Sequence, residues 1–247
     1  MKYAIVTGVS KGLGESIAKL FIDLNIHVIG LSRSTNNQLE NHGDLFTHIS
    51  CDLANINTLD SVCDEISDVI FWEEATTVYL VNNAATVEPI AQSMHIKTTD
   101  LTKHVNLNTI APMAITNYFL KKTTEKGVQL ISVVITSGAA EKPSYGWSAY
   151  CSTKASVNMY TKTAALEQEE LKNGHKIIAF SPGIMDTNMQ EKIRSSSEDE
   201  FADVEKFKEF KDNNLLKDTD LVGGVVVDIL TDDDVENGKI YHVRDYV

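Results

Sequence analysis

Tyr150 and Lys154 stand four residues apart in the stretch Ile135–Lys154, ITSGAAEKPSYGWSAYCSTK. The residues after Trp147 read as the first turns of a helix, so both side chains leave it on one face, one turn apart. A phenol and an ammonium then share a pocket. The cation favours the phenolate and is expected to draw the Tyr pKa down from about 10 toward working pH. Ser137 follows the apolar run VQLISVVIT, thirteen residues before Tyr150. A strand there brings its hydroxyl to the same place. Such a set can exchange a proton with the oxygen of a carbonyl or an alcohol. A Tyr and a Lys at helical spacing are a weak sign alone, so the context supplied by the other elements matters.

Short β-branched runs alternate with longer amphipathic segments along the whole chain, the pattern of parallel strands joined by crossover helices. The expected strands are Lys2–Thr7, His27–Ser32, Phe46–Cys51, Thr77–Val81, Gln129–Thr136, Lys176–Ser181 and Lys239–His242. Leu13, Ile17, Leu20, Phe21 and Leu24 mark the buried stripe of a first helix. Further helices are expected over Asn55 to about Phe71, Leu101–Thr124, Ser148–Leu171 and Asp220–Leu230. The fold class is α/β, a doubly wound sheet of about seven mainly parallel strands with helices on both faces. With no repeat and no flexible linker, residues 1–247 are expected to form one domain. Residues 188–216 are long for a connection and hold two amphipathic pieces, MQEKIRS and FADVEKFKEFKD, as expected of a lid over a site.

The turn T7-G-V-S-K-G-L-G14 lies between the first strand and the first helix. Its glycines let the backbone approach a pyrophosphate, and the helix start offers unpaired N–H groups and a partial positive charge. Its spacing is not that of the commonest dinucleotide fingerprint, but strand and helix flank it correctly. The second strand ends Gly30-Leu-Ser32-Arg33 with no acid to hold ribose hydroxyls, and Lys11 sits within the glycine turn. The two cations suit a 2′-phosphate and point to NADPH. Asp52, after the third strand, can accept from an adenine amino group or cap the next helix. Asn82-Asn83-Ala84-Ala85 is small and amide-bearing, as required where backbone passes close to a ribose. Within VNLNTIAPM a buried Asn implies a polar network, and periodicity leaves Asn106 and Asn108 as alternatives. The turn SPGIMDT can hold a nicotinamide carboxamide or simply stop the sixth strand.

Composition narrows the partners. A formal charge of -13 argues against nucleic acid and anionic membranes, whose phosphates need a basic face. No apolar run approaches a membrane span, and the opening MKYAIVTGVS enters a strand directly, so a cytoplasmic location is expected. Cys51, Cys63 and Cys151 form no CxxC pair, and the seven His lack ligand spacing, so no metal site is expected.

Together TGVSKGLG, CDL, NNAA, Asn108, Ser137, YCSTK and PGIMDT resemble the short-chain dehydrogenase/reductase family, in its order and spacings and over the whole chain. The resemblance implies that Tyr150 donates the proton, Ser137 orients the carbonyl, and Lys154 binds the nicotinamide ribose while lowering the Tyr150 pKa. It selects Asn108 over Asn106, because Ala111 and Pro112 follow at the family's offset, and gives Asn108 a water linking Lys154 to solvent. The implied cofactor contacts are Gly8, Ser10, Lys11, Gly12, Leu13, Gly14, Ser32, Arg33, Asp52, Leu53, Asn83, Ala84, Tyr150, Lys154, Pro182, Gly183, Ile184 and Thr187. Ala85 departs from the usual NNAG. GWSAYCSTK and DTNMQEKIR are similar to the sepiapterin reductase-like and benzil reductase-like branch. That likeness implies reduction of an aromatic or vicinal diketone, in a pocket bounded by Ser137, Tyr145, Trp147, Met185 and Met189. Family members pair through two long helices, so a homodimer or homotetramer is expected. A 3-oxoacyl-thioester reductase and a non-catalytic NADP-sensing protein are the alternatives.

Overall fold

Seven strands form one sheet in the order β3-β2-β1-β4-β5-β6-β7, with every neighbouring pair parallel. The structure, a computed structural model, describes residues 1–247. In chain order the elements are β1 (Lys2–Thr7), α1 (Leu13–Asp23), β2 (His27–Ser32), α2 (Asn37–Glu40), β3 (Phe46–Ser50), α3 (Leu59–Val69) and β4 (Thr77–Asn82). Then come α4 (Thr98–Val105), α5 (Ala111–Lys126), β5 (Gln129–Ile135), α6 (Ser148–Leu171) and β6 (Lys176–Ser181). The chain ends with α7 (Asn188–Arg194), α8 (Val204–Asp212), α9 (Thr219–Thr231) and β7 (Ile240–His242). The expected strands match these to within one residue at either end.

The two faces of the sheet explain the strand patterns. Ala4, Val6, Val28, Val81, Val133 and Phe180 face one layer with α1 and α9, while Tyr3, Ile5, Ile29, Leu80 and Leu130 face the other with α3, α5 and α6. Successive residues point to opposite faces, and both faces are covered, so each strand is apolar throughout. Strand order reverses between β1 and β4. A crevice therefore opens at the carboxyl ends of these strands.

Three expectations need correcting. Leu24 is 53% exposed rather than on the buried stripe, because α1 ends at Asp23 and Leu24 is its C-terminal cap. The helix expected over Asn55–Phe71 begins with a 3-10 turn, Ile56–Thr58, before α3. The helix expected over Leu101–Thr124 starts earlier and is broken by a π-turn at Asn106–Ile110. Pro112 has no N–H for the Asn108 carbonyl four residues back, and the Ala111 N–H bonds the Asn106 carbonyl five back.

Residues 188–216 fold against the start of α6. Phe201 is fully buried and stacks on Trp147 at 4.4 Å, with the Phe207 ring edge-on to both at 5.5 and 5.3 Å. Gly146 makes this closure possible: a Cβ there would lie 2.0 Å from the Glu200 carbonyl oxygen, and its φ is +82°. Lys192 of α7 pairs with Glu88, and Lys211 of α8 with Asp186 at 2.6 Å; both pairs are exposed and contribute little. The aromatic stack is thus the main fastening. Phe201→Ala is expected to speed protease cleavage within 188–216 by at least roughly tenfold, the equivalent of about 1.4 kcal/mol of local opening. Cleavage at the wild-type rate would show that other contacts hold the segment.

Candidate active site

The crevice at the strand ends is a cleft of about 1670 Å³. At one end lies the glycine turn. Gly8 and Gly12 have φ of +76° and +63°, and α1 starts with no side chain capping its N–H groups. The first-turn N–H groups of a helix have no intrahelical partner, and no side chain caps them here, as an anionic phosphate requires. Gly14 stands behind the turn: a Cβ there would meet the Gly8 carbonyl oxygen at 2.3 Å and Asn83 Nδ2 at 2.6 Å. Its lack of a side chain lets the start of α1 pack against the carboxyl ends of β1 and β4. The Thr7 hydroxyl completes the closure by accepting from the N–H groups of Asn83 and Ala84, both at 2.9 Å, while Asn83 Nδ2 donates to the Thr7 carbonyl at 2.9 Å. Ala85 has no left-handed backbone, so it replaces glycine without strain.

Lys11 and Arg33 border the cleft, and neither is engaged in an ion pair. Asp52 borders it too, but it caps no helix. Its Oδ1 accepts from the Ala54 N–H at 3.1 Å in a tight turn, because α3 begins only at Leu59. The uncapped helix start, the close-packed glycines and the two free cations fit a nicotinamide nucleotide.

At the other end β5 and α6 bring Ser137, Tyr150 and Lys154 together on the cleft wall. Lys154 is 4% exposed, and its Nζ donates to the Ile135 carbonyl at 2.8 Å. Burial pushes its pKa down to about 8. The Tyr150 pKa moves opposite to the expectation. Burial pushes it up to about 12, the nearby Ser137 hydroxyl pulls the other way, and the Cys151 thiol adds to the rise. Lys154 fails to reverse this because its ammonium turns to the Ile135 carbonyl and lies 5.7 Å from the phenol ring centroid. Desolvation of the phenolate outweighs it.

Of the expected site residues, three do not line the cleft. Gly14 acts from behind the glycine turn. Asn108 is 2% exposed, and Tyr145 is 50% exposed on the outside of the bend that precedes α6. Gly8, Ser10, Lys11, Gly12, Leu13, Ser32, Arg33, Asp52, Leu53, Asn83, Ala84, Pro182, Gly183, Ile184 and Thr187 all border it. So do Trp147, Met185 and Met189.

Asn108 sits in the π-turn and clasps the loop after β4. Its Oδ1 accepts from the Thr86 N–H at 2.9 Å and its Nδ2 donates to the Thr86 carbonyl at 2.7 Å. Asn106 instead donates to the Ala54 carbonyl at 3.1 Å. Sequence reasoning missed His104, which borders the cleft one turn before Asn108 and contacts it, although the i, i+4 spacing was there to be read. It also missed the aromatic contribution of Phe207, which lay in an amphipathic piece with no feature to single it out.

The short chain dehydrogenase family model matches residues 2–198. The chain is 34% identical to the (S)-benzoin-forming benzil reductase of Bacillus cereus, covering 98% of this chain and 99% of that one. It is 35% identical to the benzil reductase of Bacillus subtilis (strain 168), covering all of both chains. It is 26% identical to the sepiapterin reductase of Bos taurus over 95% and 91% of the two. The chain belongs to the short-chain dehydrogenase family and is an oxidoreductase acting on CH–OH and C=O groups.

Proposed function

We propose that the protein is an NADPH-dependent carbonyl reductase that converts an aromatic or vicinal diketone to a hydroxyketone. The observation that carries this reading is the convergence of Ser137, Tyr150 and Lys154 in one cleft with the glycine turn, beside an aromatic wall headed by Trp147. The likeness to benzil reductases supports the substrate class.

Bound along the cleft, the nucleotide supplies the hydride. Ser137 then holds the substrate oxygen, and Tyr150 gives it the phenolic proton as the carbonyl carbon is reduced. The high pKa of Tyr150 keeps the phenol protonated, as a donor must be. Lys154 is mostly an ammonium at neutral pH, since its pKa is about 8, and it stabilises the phenolate left behind. Asn108 holds the loop after β4 and, through a water, would return a proton to Lys154. Arg33 and Lys11 receive the 2′-phosphate. Trp147, Met185 and Met189 bound the substrate, and residues 188–216 cover it as a lid within a single domain of residues 1–247. A flat aromatic ketone suits this wall better than a flexible acyl thioester. Retention of Ser137, Tyr150 and Lys154 together speaks against a sensor without catalysis.

Met159 and Leu166, two turns apart on α6, and Ile110 beside α5 are exposed apolar side chains. They support pairing of two copies through these helices.

Tyr150→Phe is expected to lower kcat by at least about a thousandfold on benzil, another 1,2-diketone or sepiapterin, with NADPH affinity within about twofold. Wild-type turnover in that variant would remove Tyr150 as the donor, and reduction confined to an acetoacetyl thioester would replace the substrate class. Arg33→Asp should shift the NADPH/NADH ratio of kcat/KM toward NADH by roughly a hundredfold; an unchanged ratio takes Arg33 out of the phosphate site. Light scattering should give the mass of two or four chains, and a single-chain mass would contradict the pairing.

A further inference from the structure

His104 is 1% exposed and is held on both ring nitrogens. Nδ1 lies 2.7 Å from the Glu88 carbonyl oxygen. Nε2 lies 3.1 Å from Asn108 Nδ2 and 3.0 Å from the Thr153 hydroxyl. A carbonyl only accepts, so Nδ1 must carry a proton. The Asn108 amide is oriented independently by both backbone groups of Thr86, which leaves its NH₂ toward the imidazole. Nε2 must therefore offer a lone pair. The two contacts together select one form, the neutral Nδ1–H tautomer.

The ring thereby joins three segments: the loop after β4 through Glu88, the π-turn through Asn108, and α6 through Thr153, the residue before Lys154. It also meets the Tyr150 ring edge-on, with centroids 6.3 Å apart. We propose that His104 is a positioning residue for the reduction, which in its neutral form fixes the Asn108 amide and the register of the Tyr150–Lys154 turn against the loop after β4. This role rests on the protein being a carbonyl reductase.

Protonation would undo the arrangement. Nε2–H could still donate to the Thr153 hydroxyl, whose own proton can turn to the Ala149 carbonyl at 3.0 Å, but it would face the Asn108 N–H donor to donor. The charged and titratable groups around the ring are Tyr150 and Lys154 from α6, Glu88 from the loop, paired with Lys192, and Asp100 and Lys103 on its own helix. Burial and the Lys154 charge hold the imidazole below the 6.5 of a free histidine, partly offset by the Glu88 carbonyl. The neutral form thus persists as pH falls through that value, and activity should fall off only at more acid pH.

The test combines kinetics with NMR on the full chain. In uniformly ¹⁵N-labelled protein, the His104 ring should show Nδ1–H at neutral pH, and its titration below 6.5 should shift the Asn108 side-chain amide at the same midpoint. In kinetics, His104→Phe keeps the ring volume and is expected to lower kcat by at least about tenfold, with NADPH affinity within about twofold. His104→Gln, whose amide oxygen can stand in for Nε2 without titrating, should rescue most of that loss and flatten the acid limb of the kcat profile. An Nε2–H tautomer overturns the proposal, as does wild-type kcat in His104→Phe or an unchanged acid limb in His104→Gln. If the wild-type protein reduces no ketone, the carbonyl-reductase reading fails, and the positioning role falls with it. The tautomer and the coupled Asn108 shift still decide the hydrogen-bond assignment, so that failure is distinguishable from failure of the geometry.

Discussion

An ammonium buried inside a protein must be given partners or it will shed its proton, and Lys154 is where this fold meets that constraint. It lies on α6, and the partner supplied is a backbone carbonyl at the end of β5, at 2.8 Å. That contact depends on the helix packing flush against the sheet at this height. Small residues along the inner face of α6, Ala149, Thr153, Val157 and Ala164, allow the approach. Tyr150, one turn earlier, is carried into the cleft wall by the same packing. The depth that positions the pair also sets its proton chemistry. Water is kept from both groups, so the phenol holds its proton tightly and the ammonium less tightly than in solution.

Opposite α6 the loop after β4 is under a comparable constraint. It must pass close to the glycine turn while its backbone polar groups find partners. Thr7 satisfies two N–H groups from one side, and Asn108 satisfies both groups of Thr86 from the other. The second arrangement requires a buried amide in mid-helix, at a point where the ladder is already opened by Pro112. The π-turn is thus part of how the loop is held, since it occupies the stretch from which Asn108 reaches out.

Much of this was legible in the residues. Strand ends could be read to within one position because strands buried on both faces are unbroken apolar runs bounded by turn residues. The glycine turn and the Tyr150–Lys154 pair were legible because their function demands fixed spacing. Depth was not. Sequence spacing places an ammonium near a phenol but says nothing of how far both lie from water, and so the Tyr150 pKa was expected to fall when burial raises it. Tyr145 was misplaced for a related reason. It lies on an irregular bend before α6, where no period says which side faces in. His104 shares a helical face with Asn108, yet a histidine at that spacing reads equally well as ordinary core until its partners from two other segments are seen.

Phe201 belongs to the segment whose main fastening is one ring stacked on Trp147. Between that point and α9 the chain lines part of the cleft without belonging to the sheet or supplying Ser137, Tyr150 or Lys154. A change of side chain there can reshape one wall of the cleft while leaving the sheet, Ser137, Tyr150 and Lys154 where they stand.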